Sequence, residues 1–173
     1  MMHRLVKMAR RAQHSRFHLW LLNRVLWQII PFNRPHRLEI VKISDDALEI
    51  RIPYRRANFN HIKGLHACCL ATVAEYATGL LLVMQVDPTR YRLIMQAMHM
   101  EYHYQGKMDG FARFSIDQSR LEQEVFAPLA SQEAVVFSPE VQIHDQEGNH
   151  LVTGIIHWQI KRWDKVRTAI ERG

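Results

Sequence analysis

The sequence has few cysteines, which cross-link small secreted proteins, and few of the glycines and prolines that mark linkers between domains. Its only two cysteines, Cys68 and Cys69, are adjacent, so they cannot close an ordinary intrachain disulfide. The lack of a disulfide framework favours a reducing compartment, and we expect a cytoplasmic protein. Seven Gly and six Pro in 173 residues exclude collagen-like and low-complexity classes. We find no internal repeat or linker, and the chain is long enough for one sizeable core.

Acidic residues are missing from the first 38 positions, which contain eight Lys and Arg residues. The rest of the chain holds 15 of the 23 basic residues and all 17 acidic ones, a net charge of −2. A nucleic-acid-binding domain would show a basic face on the body itself. We therefore expect no nucleic-acid partner, and we assign the basic character to an N-terminal segment.

Long uninterrupted apolar runs are also missing. Residues 17–32 contain Leu19, Leu22 and Leu26 at helical spacing, but polar residues break the run and no small-residue cleavage site follows. The run is too short and too polar to cross a bilayer. We predict a helix ending before Pro31, which either covers the body or lies on an anionic membrane surface as a basic amphipathic helix. The chain then divides into a basic helical segment, 1–35, and one domain, 36–173.

The hydrophobic period changes after Pro35. Alternating residues predict a hairpin around Asp45-Asp46, followed later by four more strands; the predicted strands span 38–43, 47–52, 91–104, 110–117, 134–144 and 150–162. Residues 65–86 are apolar nearly all round, which predicts a helix buried on most sides. We therefore expect an α+β fold, with a long antiparallel sheet wrapped around one buried central helix and an extra N-terminal helix.

Polar residues gather at the start of this central helix, where Asn60, Gly64 and His66 fall within seven positions. The N–H groups of about residues 66–68 are expected to be unpaired there and able to hold an oxyanion. Glu75 lies in an apolar stretch, where desolvation favours the neutral carboxyl and tunes it as a base. Glu75 follows His66 by nine residues. On a helix, the two side chains would therefore point about half a turn apart and be separated by about 13.5 Å along the axis. A small site using both therefore requires a second copy of the chain.

Residues 60–79, NHIKGLHACCLATVAEYATG, resemble the central-helix motif of hotdog-fold acyl-CoA thioesterases of the PaaI-like group. They look closest to a branch of uncharacterised domains with an N-terminal helix. In that family a loop Asn, then a Gly and a His at the helix start, precede an acid nine positions after the His. The resemblance covers about residues 20–162. The sequence departs from the family's motif at three places. Ala67-Cys68 replaces a frequent Gly pair, Glu75 replaces the commoner Asp, and the Pro that is usual near the end of the following strand is absent from positions 104–106.

The resemblance implies hydrolysis of an acyl-CoA thioester by a homodimer, or by a dimer of such dimers, without cofactor or metal. Glu75 would activate water or attack the thioester carbonyl, and Asn60 would position the water or the carbonyl. His66 would help place the thioester oxygen, and the Ala67 N–H would be the oxyanion donor. The CoA phosphates require basic residues at the rim; the candidates for substrate contacts are Gly64, Arg55, Arg56, Lys63 and Lys107, with Arg90 and Arg113 as further cations.

Other interpretations remain open from the sequence. The same fold could bind acyl chains or acyl-CoA without catalysis, docked to a membrane through its N-terminal helix, and hydration or dehydration of an acyl chain ranks lower. Asn60 and His66 could instead serve only the loop and the first helical turn. His99-x-Glu101-x-His103 places three metal-ligand side chains on one face of a strand, but they span about 13 Å, too far for one ion. We interpret both cysteines as small core residues.

Overall fold

The computed structural model describes residues 2–166 of the chain. The helices are α1 (Met2–Ala12), α2 (Arg16–Ile29), α3 (Ala67–Gln85), α4 (Gln118–Leu121) and α5 (Ala127–Leu129), with a π-helical turn, Glu122–Phe126, between the last two. The strands are β1 (Glu39–Ile43), β2 (Ala47–Ile52), β3 (Tyr91–Tyr102), β4 (Gly110–Ser115), β5 (Ala134–Phe137), β6 (Glu140–Asp145) and β7 (His150–Arg162).

The strands form one antiparallel sheet in the order β1-β2-β4-β6-β7-β3. β5 and β6 pair with successive parts of β7, and the short break between them contains Pro139. Proline cannot donate a ladder hydrogen bond, so the predicted strand 134–144 is split into two at this residue. The sheet therefore has seven strands where the sequence predicts six.

Helix α3 lies against one face of the sheet and contacts β2, β4, β6, β7 and β3. Its side chains are buried on several sides, among them Val73, Ala74, Ala77 and Leu81. By length and hydropathy α3 could cross a membrane, yet 61% of its most apolar window is buried inside the protein. The predicted arrangement, a hotdog fold with a sheet wrapped around one central helix, is confirmed.

Helix α3 approaches the sheet closely at Gly79. A Cβ added to Gly79 would lie 2.6 Å from both Cη2 and Cζ2 of Trp158 on β7. The indole Nε1–H donates a hydrogen bond of 3.0 Å to Thr78 Oγ1, which holds the ring in place. Only a residue without a side chain lets the helix sit this close to the indole.

We expect Gly79→Ala to lower the free energy of unfolding by up to about 2 kcal/mol, measured by urea denaturation. Overpacking against the hydrogen-bonded indole should outweigh the gain of about 1 kcal/mol in helix propensity. Gly79→Ala combined with Trp158→Phe should cost less than the sum of the two single changes, because the smaller ring frees the space. A stabilised Gly79→Ala protein would show that helix propensity dominates here.

The N-terminal segment forms two helices, where the sequence indicated one clear helix. α1 packs on α2 and α3, and α2 packs on β1. Asn23, expected on the polar face of α2, is instead buried. Its amide accepts from the N–H of Ile40 at 2.8 Å and donates to the Ile40 carbonyl at 3.0 Å. Trp27 Nε1–H donates to the Leu38 carbonyl at 2.7 Å, so α2 covers the β1 edge of the sheet.

Candidate functional site

His66 begins helix α3 as its N-cap residue. Its side-chain Nδ1 accepts a hydrogen bond of 3.1 Å from the Cys68 N–H, and its own N–H donates to the Asn58 carbonyl at 2.8 Å. The expectation that three N–H groups are unpaired here is therefore wrong for residues 66 and 68. Of these three N–H groups, only that of Ala67 has no acceptor among the described residues, and it lies at the positive end of the α3 dipole.

The cap also determines which nitrogen of His66 carries a proton. An imidazole nitrogen that accepts from an N–H must present its lone pair, so neutral His66 is protonated on Nε2. The His66 side chain is exposed. It therefore offers an Nε2–H donor at the same helix start as the Ala67 N–H, and either group could donate to an oxygen that gains negative charge.

Asn60 holds the loop that precedes α3. Its side-chain Oδ1 accepts from the N–H groups of Ile62 at 3.1 Å and Gly64 at 2.8 Å. Its own N–H donates to the Gly64 carbonyl at 2.8 Å. The oxygen of the amide is thus used within the loop, and only the Nδ2 hydrogens remain for a substrate. Asn60 can donate to a carbonyl, but the occupied Oδ1 is poorly placed to accept a proton from water.

Gly64 is buried, and both its backbone polar groups are bonded to Asn60. A Cβ here would lie 2.8 Å from Cγ of Gln105, in the neighbouring loop. The glycine therefore lets two loops meet below the start of α3. A direct contact between Gly64 and a substrate stays a prediction.

These two loops also carry the predicted phosphate-binding residues. Leu65 N–H donates to the Gly106 carbonyl at 2.8 Å, and Tyr54 N–H donates to Asp109 Oδ1 at 2.7 Å, which ties residues 53–65 to residues 105–109. Four exposed cations lie on them, and none is in an ion pair within the described part of the chain: Arg55, Arg56, Lys63 and Lys107. By contrast, Arg113 pairs with Glu49 at 3.0 Å.

Glu75 lies two and a half turns further along α3 and lines an apolar cavity of about 260 Å³. The walls are mainly side chains of α1, α2, α3, β3 and β7: Leu5, Leu26, Ile29, Ile30, Tyr76, Leu80, Val83, Leu93 and Trp158. Burial raises the pKa of the Glu75 carboxyl. Among residues 2–166 its carboxylate has no hydrogen-bond or ion-pair partner, which is unusual for a desolvated charge.

Asn33 is the residue of this cavity that sequence reasoning missed. It is buried and lines the same cavity as Glu75, where it supplies an amide beside a wall of apolar side chains. It lies in a 3-10 turn, Pro31–Asn33, directly after α2. A short segment with Asn and two prolines is typical of a surface turn, so no local signal distinguished Asn33 from an ordinary loop residue.

Tyr102 was also missed. Its phenol donates a hydrogen bond of 3.1 Å to the Ala67 carbonyl, so the end of β3 meets the start of α3.

β3 is the last strand of the sheet, and no described strand pairs with its outer edge. Ile94, Met95 and Tyr102 on it are exposed. A long, uncovered edge strand of this kind is a template for pairing with another chain.

The strand triad His99, Glu101 and His103 does not converge. His99 contacts Glu101 at 3.2 Å, whereas His103 contacts Thr153 Oγ1 at 3.0 Å and packs on His150. No group of three or more His, Cys, Asp and Glu side chains in the described residues could hold a metal ion.

The two cysteines differ, which corrects the expectation that both are core residues. Cys69 is buried, and burial raises its thiol pKa to about 12. That thiol would be a poor nucleophile at neutral pH although it lies 3.5 Å from His36 Nδ1. Cys68 is exposed at the start of α3.

Three solved structures share this fold. A protein of unknown function from Pseudomonas aeruginosa, described as a probable thioesterase, has a TM-score of 0.75 at 24% identity, over 82% of this chain and 94% of that one. A thioesterase variant from Staphylococcus aureus gives 0.61 at 14% identity, covering 76% and 98%. A thioesterase from Haemophilus influenzae gives 0.65 at 13%, covering 83% and 90%.

No curated protein matches the chain at a significant level. The family model DUF4442, described as a domain of unknown function, matches residues 19–160. This stretch runs from within α2 to near the end of β7 and includes the whole of α3 and its preceding loop. The protein therefore has the hotdog fold and belongs to the DUF4442 family.

Proposed function

We propose that the protein is a thioesterase that hydrolyses acyl-CoA, with Glu75 as its catalytic carboxylate. The observation that carries the proposal is the unpaired, desolvated Glu75 carboxylate in an apolar cavity. Glu75 is half-buried; an unpaired carboxylate that is partly withdrawn from water costs stability, and such groups concentrate at sites of acid–base chemistry. The aliphatic side chains and Trp158 that line the cavity can pack on an apolar acyl chain, and Glu75 is the acidic residue of that lining.

In the proposed reaction, water attacks the thioester carbonyl carbon while the Glu75 carboxylate accepts its proton. The carbonyl oxygen becomes an oxyanion, which the Ala67 N–H and the His66 Nε2–H stabilise. The C–S bond then breaks, and the thiolate takes the proton from the Glu75 carboxyl to leave a free thiol and a carboxylic acid. Direct attack of the carboxylate, through an anhydride that water hydrolyses, uses the same groups. Asn33 in the cavity and the Nδ2–H of Asn60 would orient the water and the carbonyl.

The nucleotide part of the substrate would lie on the two loops before α3. Arg55, Arg56, Lys63 and Lys107 are exposed without ion-pair partners in the described residues, so their charges are available for phosphates. Because Arg side chains bind phosphate oxygens in pairs, Arg55 and Arg56 are the better candidates for a bidentate contact.

We further propose that the working unit is a homodimer. Glu75 and Ala67 lie on one helix, eight residues apart, which corresponds to about 12 Å of rise, too far to act on one carbonyl. A second copy that pairs along β3 would bring its own α3 start to the first copy's Glu75. The outer edge of β3 is uncovered, whereas α2 covers β1 at the other end of the sheet.

The proposed function is tested with purified full-length protein and straight-chain acyl-CoAs of increasing length, by detecting the released CoA thiol. We expect hydrolysis with an optimum in chain length, because the cavity has a limited volume of about 260 Å³. Free CoA should compete, and its competition should weaken as salt is raised. Acyl-CoA binding without thiol release at any length would overturn the enzyme assignment in favour of a binding protein.

A further inference from the structure

The N-terminal segment presents an unusual outward surface. All eight of its basic side chains are exposed, and none is in an ion pair within the described residues: Arg4, Lys7, Arg10, Arg11, Arg16, Arg24, Arg34 and Arg37. With no acid among the first 38 residues, these charges are not neutralised locally. The surface is therefore strongly positive, while the remainder of the chain has a slight negative net charge.

Large aromatic side chains are also exposed in this N-terminal segment. Phe17, Trp20 and Phe32 are 65%, 52% and 68% exposed, although each could bury well over 100 Å² elsewhere. We call these three residues, together with Arg16, Arg24 and Arg34, the basic aromatic strip. Phe17 stacks on Trp20 at 6.0 Å between ring centroids, and the Arg24 guanidinium lies 5.3 Å from the Trp20 ring.

The strip faces away from the body because the opposite face of α2 is firmly attached. Leu22 and Leu26 are buried, and Asn23 is hydrogen-bonded to β1. Phe17, Trp20 and Arg24 follow one another at the spacing of a single helix face. Phe17 and Trp20 therefore cannot turn inward without detaching α2, and they stay exposed to solvent on its outer face; Phe32 is exposed in the turn that follows α2.

We propose that the basic aromatic strip docks the protein on an anionic phospholipid bilayer. Arg side chains favour the negative surface of such a bilayer, and Trp and Phe rings insert at its headgroup level. Single-stranded nucleic acid also binds arginines and aromatic rings, but its binding sites are grooves that follow the strand. A convex helix flanked by flexible cations fits a membrane plane better. The inference does not depend on hydrolysis, since none of the strip residues lines the Glu75 cavity.

Sedimentation of the full chain with vesicles tests the proposal. The probes are vesicles of phosphatidylcholine alone and of phosphatidylcholine with roughly 30% phosphatidylserine. We expect binding to the anionic vesicles, weak binding to the neutral ones, and release at about tenfold higher salt. Equal binding to both, or none to either, would overturn the proposal.

Two variants separate the parts of the strip. Phe17, Trp20 and Phe32 changed together to Ser should lose vesicle binding, and Arg16, Arg24 and Arg34 changed to Gln should weaken it by about fivefold per side chain. The matched control changes three exposed apolar residues elsewhere, Ile62, Tyr104 and Val136, to Ser and should bind like wild type. An aromatic variant that binds vesicles normally, or that instead changes the oligomeric state in ultracentrifugation, would show that the strip serves another contact.

Discussion

Glu75→Gln is expected to lower the rate of acyl-CoA hydrolysis by about 10²–10⁴-fold, the contribution typical of a positioned acid or base. Glutamine has the same shape as glutamate and still fills its place in the cavity, but it cannot accept a proton or attack a carbonyl. The matched control is Glu147→Gln, because Glu147 is exposed on the turn before β7, and it should retain the wild-type rate. Turnover that survives in Glu75→Gln would exclude Glu75 as the catalytic carboxylate.

Glu75→Gln is also expected to affect the stability of the protein, and in this case it should not be harmful. Burial raises the pKa of Glu75 above its ordinary value, so folding disfavours the charged form. The carboxyl therefore favours folding most at pH values below its pKa in the unfolded chain. This contribution to stability is lost as the pH rises through the higher pKa of the folded protein. At neutral pH Glu75→Gln should therefore be at least as stable as wild type in urea denaturation. The wild-type rate should rise with pH through the same raised pKa, because the carboxylate is the active form.

Ala67→Pro is expected to lower kcat by about 10²–10³-fold, the usual effect of losing one oxyanion donor. Proline has no N–H, and residue 67 is the first residue of α3, the helical position where proline is best tolerated. His66 already has the extended backbone, φ −69° and ψ 135°, that a following proline requires. The unfolding midpoint should thus be nearly unchanged. Arg16→Pro, at the first position of α2, is the matched control and should keep full activity.

Mixing the two inactive proteins tests whether one site uses both chains. If Glu75 acts with Ala67 of a second copy, a dimer of Glu75→Gln and Ala67→Pro chains contains one intact site and one doubly altered site. Random reassortment should then restore about a quarter of the wild-type rate, since half of the dimers are mixed. Chains that act alone would give no recovery, because every site would keep one defect. Mixing each variant with itself supplies the baseline.

The secondary structure follows closely from local sequence. Alternation in residues 38–52 gives the β1–β2 hairpin, and the nearly continuous apolar pattern of residues 65–86 gives the buried helix α3. These signals are strong because most strands have one face toward α3, and because α3 has neighbours on most sides. The break between β5 and β6 at Pro139 was also predictable, since a missing N–H interrupts pairing whatever surrounds it.

The composition of the site was less predictable. The sequence singled out Glu75, Asn60, His66 and Ala67, and the structure places the last three at the start of α3 with Glu75 further along the helix. The sequence could not show that His66 Nδ1 and Asn60 Oδ1 are already used in local hydrogen bonds. It also missed Asn33, because nothing in a turn sequence records which helix the turn will face.

By itself, the sequence determined the order of helices and strands, the burial of α3 and the presence of an acid in its apolar stretch, because these depend on periodicity and hydropathy along the chain. Only the tertiary structure decided that Asn23 is buried against β1, that α1 and α2 contribute side chains to the cavity around Glu75, and that Phe17 and Trp20 face outward. Those outcomes depend on which faces of distant segments meet. Long-range packing sets that choice, and no local pattern encodes it.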